Sequence, residues 1–323
     1  MMQLLAVLAF LAVDEKKEVN VVCPIDGTNF KAIEIVSTNE WGGVDADYCK
    51  HAIKTIPLEF RAWTCPACHY SGLKAAFDPK NSELKEKVLG KLKPLVEIKK
   101  TAKQADIPGY VKFDLMAQVA VLKGAPAEEV GNALLWASWA VRQTGAVYLD
   151  DFEEWETVRT SYGLNKTPLD LGKGKNRTEH DLGQIDRMGK DAKGLKGNTL
   201  QLTRYTAAYV TRLHGENIDA LKWIEELRKS KGDNSVVDDA VEKMAKSIEL
   251  ERTFQKRAAE HYAKALDAGK LEAKATAQLK YLLGEIHRRL GDGKAAVEWY
   301  DKAIADADKD MKALCEKQKA LIK

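Results

Sequence analysis

The chain has 323 residues and a mass of 35.9 kDa, room for two or three domains. With 45% apolar and 31% charged residues it is not a disordered polymer. Lys+Arg 51 against Asp+Glu 48 leaves a net charge of only +3, too even for a dedicated nucleic-acid binder.

Residues 1–13 carry one polar side chain, Gln3, and no charge, and Asp14-Glu15-Lys16-Lys17 ends the run. The run is too short for a bilayer span, which takes about 20 residues, and suits the apolar core of an export signal. No Lys or Arg precedes it, and bulky Phe10 stands where a small residue is preferred for cleavage after Ala12. The reading is an export signal and linker over 1–18, with a buried strand or helix as the alternative. No membrane span is expected.

Four of the five cysteines fall between residues 23 and 68. Cys23-Pro-Ile-Asp26-Gly27 follows the β-like Val19-Asn20-Val21-Val22, and Cys65-Pro-Ala-Cys68-His69 follows Phe60-Arg61-Ala62-Trp63-Thr64. A strand running into a Cys-Pro turn is the local geometry of a zinc knuckle, where two thiolates three apart converge on one ion. Cys23, Cys65 and Cys68 are the first three ligands of a structural Zn²⁺ site. Cys49 is favoured as the fourth because it is the softer ligand, with Asp26 and His69 as alternates. Three other readings compete. Cys65-Pro-Ala-Cys68-His69 satisfies the C-x-x-C-H of covalent haem c. The pair Cys65/Cys68 could be a redox dithiol, though the turn after it is not a helix start. An exported protein could hold two disulfides. Cys315 lies in a C-terminal amphipathic helix and reads as an inert thiol.

Residues 21–79 resemble the bacterial family known as domain of unknown function 2225. The resemblance rests on Cys23-Pro24, on Asp45-Ala-Asp47-Tyr48-Cys49, on Ile56-Pro57-Leu58-Glu59-Phe60, and on Trp63-Thr64-Cys65-Pro66-Ala67-Cys68, in that order. It implies a metal-binding N-terminal module and a helical, repeat-like C-terminal part, with no established activity. Two departures stand out: Asp26 replaces the second Cys of the first knuckle, and His69 replaces a Gly after the last Cys. Asp45 and Asp47 are a paired-carboxylate candidate for acid/base work, set against a plainer role in turns and hydrogen bonds beside Cys49.

From Asn81 the apolar period shifts toward 3.6. The Lys- and Glu-rich stretch 81–105, broken by Pro94, reads as a solvated helix face. A helix pair is expected over 110–123 and 127–143, turning at Gly124-Ala-Pro126. Glycines and charges mark 163–198 as a long loop with at most one short helix. After 198 helices resume. Leu283-Gly284, His287, Gly291, Ala296, Tyr300 and Ala303 stand at tetratricopeptide spacing, and Ala208, Gly215 and Ala220 follow it more weakly between 200 and 229. On that template Tyr205, Tyr209, Arg212, Tyr281, Glu285 and Arg288 line a concave groove for an acidic or C-terminal peptide. The alternative packs them against another long helical stretch, 236–267.

The fold class is therefore mainly α: a small β-rich, zinc-ribbon-like module over 19–79, a helical region over 80–162, the loop over 163–198, and a tetratricopeptide-like array over 199–323. The favoured function is non-enzymatic, a zinc-binding module fused to a protein-interaction scaffold. The second class is an exported haem c or thiol redox protein. Zinc thiolates suit a reducing cytoplasm while the N-terminus points to export.

Overall fold

The computed structural model describes residues 15–39, 42–52, 56–144, 149, 152–164, 177–230 and 234–322. The apolar run 1–13 lies outside them. Strands β1 (Glu15–Val22) and β2 (Asn29–Ser37) form an antiparallel ribbon in which Val22 faces Asn29. Short ribbons follow: β3 (Gly43–Val44) with β4 (Lys50–His51), and, after helix α1 (Leu58–Arg61), β5 (Trp63–Thr64) with β6 (Ser71–Gly72). Ribbons this small bury too little to stand alone. Phe77 gathers Phe30, Trp63 and Tyr70 around it at ring-centroid distances of 5.6, 5.9 and 5.4 Å. That core continues through Val88, Leu92 and Ile107 into Val111, Leu115 and Val119 of helix α3 (Gly109–Lys123). The core thus crosses the expected boundary at residue 79. Gln104 stitches the seam: its Oε1 accepts from the Thr64 N–H and its Nε2 donates to the Thr64 carbonyl.

The stretch 81–105 is not a long helix. It holds a 3-10 turn (Pro79–Leu84), the one-turn helix α2 (Lys85–Val88) and irregular chain. Gly90 takes a left-handed φ of 72° that ends α2. Pro94, which lacks a backbone donor, follows within the irregular chain.

The helical remainder is built from antiparallel hairpins. Helix α3 turns at Gly124 (φ 76°) into α4 (Ala127–Thr144). Helices α5 (Glu153–Ser161) and α6 (Arg177–Asp191) precede the hairpin α7 (Gly197–Leu213) and α8 (Asn217–Lys229), which turns at Gly215. The long α9 (Ser235–Asp267) packs along α4, with Tyr262 so close to Gly131 that a Cβ there would sit 2.6 Å from the ring. Helix α10 (Ala273–Leu290) turns at Gly291 into α11 (Gly293–Asp306), and α12 (Lys309–Lys319) closes the chain. Within that last hairpin a Cβ on Gly284 would meet the Tyr300 ring at 2.6 Å, so the small residue sets the helix spacing. The expected loop 163–198 contains the 15-residue α6 instead. Leu182, Ile185 and Met188 recur every three residues along one face, a pattern masked in the sequence by Gly183 and Gly189. Residues 165–176 lie outside the described part. No described helix is long and apolar enough to cross a membrane.

Candidate metal centre

Two turns carry Cys23, Cys65 and Cys68, and they have the same backbone plan. In the first, the Cys23 N–H donates to the Thr28 carbonyl and the Gly27 N–H to the Cys23 carbonyl. In the second, the Cys65 N–H donates to the Tyr70 carbonyl and the His69 N–H to the Cys65 carbonyl. Gly27 and His69 occupy the same left-handed place, at φ 76° and 66°. The plan therefore pairs Asp26 with Cys68 by position. The two turns face each other, and ligand atoms of Cys23, Asp26, Cys65 and Cys68 all lie within 4.8 Å of one another. The Cys23 and Cys68 sulfurs are 3.6 Å apart, and Asp26 Oδ1 is 3.6 Å from the Cys65 sulfur. The Thr28 N–H donates to Asp26 Oδ1 at 3.0 Å and fixes the carboxylate's direction. This Cys3Asp set could bind a metal ion. Cys23 and Cys65 are buried, Cys68 half-buried and Asp26 exposed, so the carboxylate forms the open side.

The crowding polarises the thiols. Hydrogen bonds from Cys23 and then Cys68 hold Cys65 well below the ordinary thiol range. Cys65 in turn pushes Cys23 up, and Cys23 and Cys65 push Cys68 up. A thiolate is the form that binds a metal, and the lowered Cys65 is the one of the three biased toward it.

Cys49, the favoured fourth ligand, is elsewhere. It is fully buried at the end of the β3–β4 turn, where its sulfur accepts from Gln143 Nε2 at 3.4 Å. Burial pushes its thiol well above the usual range. Asp26 stands beside the three sulfurs instead, because the repeated turn places it there. His69, the other alternate, serves the backbone: its left-handed conformation is the one Gly27 adopts in the first turn. All five cysteines are free thiols, with Cys315 buried beside Tyr281 and Tyr300.

The Asp45–Cys49 turn performs a different task. It inserts into the helical part, and Asp45 and Asp47 are both buried. Arg142 of α4 donates from Nη1 to Asp45 Oδ2 at 2.9 Å and from Nη2 to Asp47 Oδ2 at 2.6 Å, while its Nε reaches Glu251 Oε1 of α9 at 3.0 Å. Trp139 Nε1 donates to Asp47 Oδ2, and Arg212 is ion-paired with Glu251. Burial opposes the charge on Asp47, but Arg142 and Arg289 outweigh it and hold the carboxyl down at about 2. The two aspartates therefore act as anchors for guanidinium groups. His51 Nε2 lies 2.8 Å from Asp45 Oδ2, and His214 Nδ1 lies 3.0 Å from Asp45 Oδ1. Ligand atoms of Asp45, His51 and His214 also lie within 4.8 Å of one another, all buried. His51 stands two residues beyond Cys49 and was available as a local signal. Nothing in the sequence links either residue to His214.

The expected peptide groove is filled by the chain itself. Tyr205 and Tyr209 pack edge-on against Trp155 of α5, at 5.7 and 5.2 Å between centroids. Arg212 of α7 is fully buried against α9, with Nε donating to Ser247. Tyr281 meets Tyr48 and donates to the Ala46 carbonyl at 2.6 Å. Glu285 is buried among Arg288, Arg289 and Tyr300. Arg288 also borders an open cleft of about 560 Å³, which Trp223, Ile185 and Leu321 line with it.

The family profile described as "Uncharacterized protein conserved in bacteria (DUF2225)" matches residues 16–250 and again 244–322. No curated protein and no solved structure matches the chain. The matched segments take in both knuckles, the Asp45–Cys49 turn and the helical hairpins, and the chain belongs to this family of bacterial proteins.

Proposed function

We propose that the chain is a zinc-closed module carried on a helical protein-interaction scaffold, and that it works by binding rather than by catalysis. The observation that carries this reading is the repeated turn that brings Cys23, Asp26, Cys65 and Cys68 within one ion's reach. Three thiolates and a carboxylate suit a borderline-soft, tetrahedral ion. Four protein donors would leave no open position for substrate, which is the mark of a structural site. Its role would be to lock two ribbons whose apolar core is thin and is completed only by α3. The haem reading draws less support. Covalent haem would require Cys65 and Cys68 to turn outward as thioethers, whereas here they face Cys23 and Asp26.

The scaffold half rests on the hairpins and on the cleft beside α6 and α8. Asp186, Glu216, Asp219 and Glu226 outnumber Lys222 and Arg288 along that cleft, so its charge does not favour an acidic peptide. Trp223 is its main apolar feature, and a partner with an apolar or basic segment fits better. Metal analysis by mass spectrometry, on full-length protein purified without chelator, tests the central point together with a visible spectrum. About one thiol-dependent zinc per chain and no Soret band support it. A Soret band, or a folded chain whose metal content does not depend on Cys65, removes it. For the scaffold, Trp223→Glu should abolish recovery of a partner crosslinked to the native protein; unchanged recovery counts against this face.

A further inference from the structure

The buried cluster at the helical junction has its own coordination logic. Asp45 presents both carboxylate oxygens to imidazoles: Oδ2 to His51 Nε2 at 2.8 Å and Oδ1 to His214 Nδ1 at 3.0 Å. The three residues come from separate places, the β3–β4 turn, strand β4 and the end of α7. They meet without solvent: Asp45 is 4% exposed, His51 6% and His214 2%.

The surroundings match those of a ligated centre. A metal-bound histidine commonly donates its second ring N–H to a carboxylate, and a ligating carboxylate is itself hydrogen-bonded. His214 Nε2 lies 3.4 Å from Asp181 Oδ2 of α6, and Asp45 Oδ2 accepts from Arg142 Nη1 at 2.9 Å. The position of His51 is fixed from behind. The Gly42 N–H donates to its carbonyl, and a Cβ on Gly42 would lie 2.6 Å from the His51 Cβ. Charge points the same way. The guanidinium of Arg142 is shared among Asp45, Asp47 and Glu251; Glu251 also takes Arg212, and Asp47 has Arg289 at 3.5 Å, which Glu285 shares. Asp45 thus has a fraction of one arginine. Buried charge needs a counter-charge, and among the described residues the remaining side chains in contact with its oxygens are two imidazoles, which can supply one either as bound protons or through an ion that both ligate.

We propose that Asp45, His51 and His214 form a second site, for a divalent first-row transition ion bound by nitrogen and oxygen only, with Asp181 and Arg142 orienting the ligands. Two imidazoles and a carboxylate suit such an ion and contrast with the sulfur-rich knuckles. The ion would pin the β3–β4 turn to α6 and α7, joining the N-terminal ribbons to the helical hairpins.

Cobalt(II) titration of the metal-stripped full chain tests this independently of the knuckle reading, because thiolate ligation gives intense charge-transfer bands and nitrogen/oxygen ligation does not. The expected result is two equivalents, only one accompanied by those bands. His51→Gln and His214→Gln should each abolish the second equivalent and keep the bands, while Cys65→Ser should abolish the bands and keep the second equivalent. X-ray absorption on the cobalt retained by Cys65→Ser should show imidazole and no sulfur, a readout that needs no histidine variant to fold. A single equivalent in the folded wild-type chain overturns the proposal. So does a second equivalent that lacks imidazole scattering or survives His51→Gln in folded protein.

Discussion

The paired knuckle turns and the Asp45–Cys49 turn, all within the first 70 residues, treat their polar groups in opposite ways. At the knuckles, the groups that shift the three thiols are burial, neighbouring backbone N–H groups and one another. At the Asp45–Cys49 turn the carboxylates meet arginines delivered by α4 and α10. The first arrangement offers a cation from solution four donors and draws no guanidinium from the helices. The second imports most of its cations from the rest of the fold, so it fastens the ribbons to the helices. The Asp45-Ala-Asp47-Tyr48-Cys49 element therefore works as a docking device, with Cys49 buried at its end.

The largest effect expected from breaking this contrast is at Arg142. Arg142→Met strands Asp45, Asp47 and part of Glu251, and removing one partner of a buried ion pair costs about 3–5 kcal/mol. Denaturant unfolding should show that loss, or failure to fold, while metal uptake by any folded knuckle persists. A loss below about 1 kcal/mol would mean the network is not the fastening described here.

A second test uses Lys112, buried at the seam between ribbons and α3, where Nζ donates to the Glu59 carbonyl at 2.5 Å. Burial lowers its pKa to about 8, with Glu59 opposing the shift. The unfolded chain keeps that proton up to about 10.4, so it holds more protons between pH 8 and that value, and stability rises with pH there. Lys112→Met removes the group, and its stability relative to wild type should fall by up to about 3 kcal/mol as pH is raised from 7 to 10.5. A pH-independent difference would show that Lys112 is solvated in solution.

At the knuckles the expected changes are in affinity. Asp26→Asn weakens the fourth ligand and should lower zinc affinity by at least about tenfold, roughly 1.4 kcal/mol, whereas Asp26→Cys should raise it. Competition against a chromophoric chelator measures both, and equal affinities would remove Asp26 from the site. The smallest effect is at His69. A side chain in the left-handed region costs on the order of 1 kcal/mol. Glycine relieves that but gains entropy when unfolded, so His69→Gly should leave metal affinity unchanged and shift stability by less than about 1 kcal/mol. A tenfold loss of affinity would make His69 a ligand after all.

How much of this was legible beforehand depended on sequence distance. The knuckles could be read because each is a local string, Cys-Pro-x-x, closed by hydrogen bonds within six residues. Softness alone favours Cys49 over Asp26, whereas the geometry groups Asp26 with Cys23, Cys65 and Cys68 because the two turns are equivalent, as the shared left-handed residue reveals. The hairpins were legible through Gly215, Gly284 and Gly291, where close approach or positive φ demands glycine. The groove was not, since the repeat template places Tyr205, Arg212 and Tyr281 on a concave face but says nothing of what fills it. Here Trp155, Glu251 and Tyr48 do so, from segments far along the chain. His51 and His214, 163 positions apart by numbering (214 − 51), meet only through the tertiary fold.

Hydrogen–deuterium exchange of the full chain, zinc-loaded and then stripped with chelator, tests the central claim that a metal ion closes the two knuckles. Protection should fall at residues 23–28 and 65–70 on stripping, while α4 and α9 stay protected. Identical exchange at both turns, with removal of the metal verified, would contradict it.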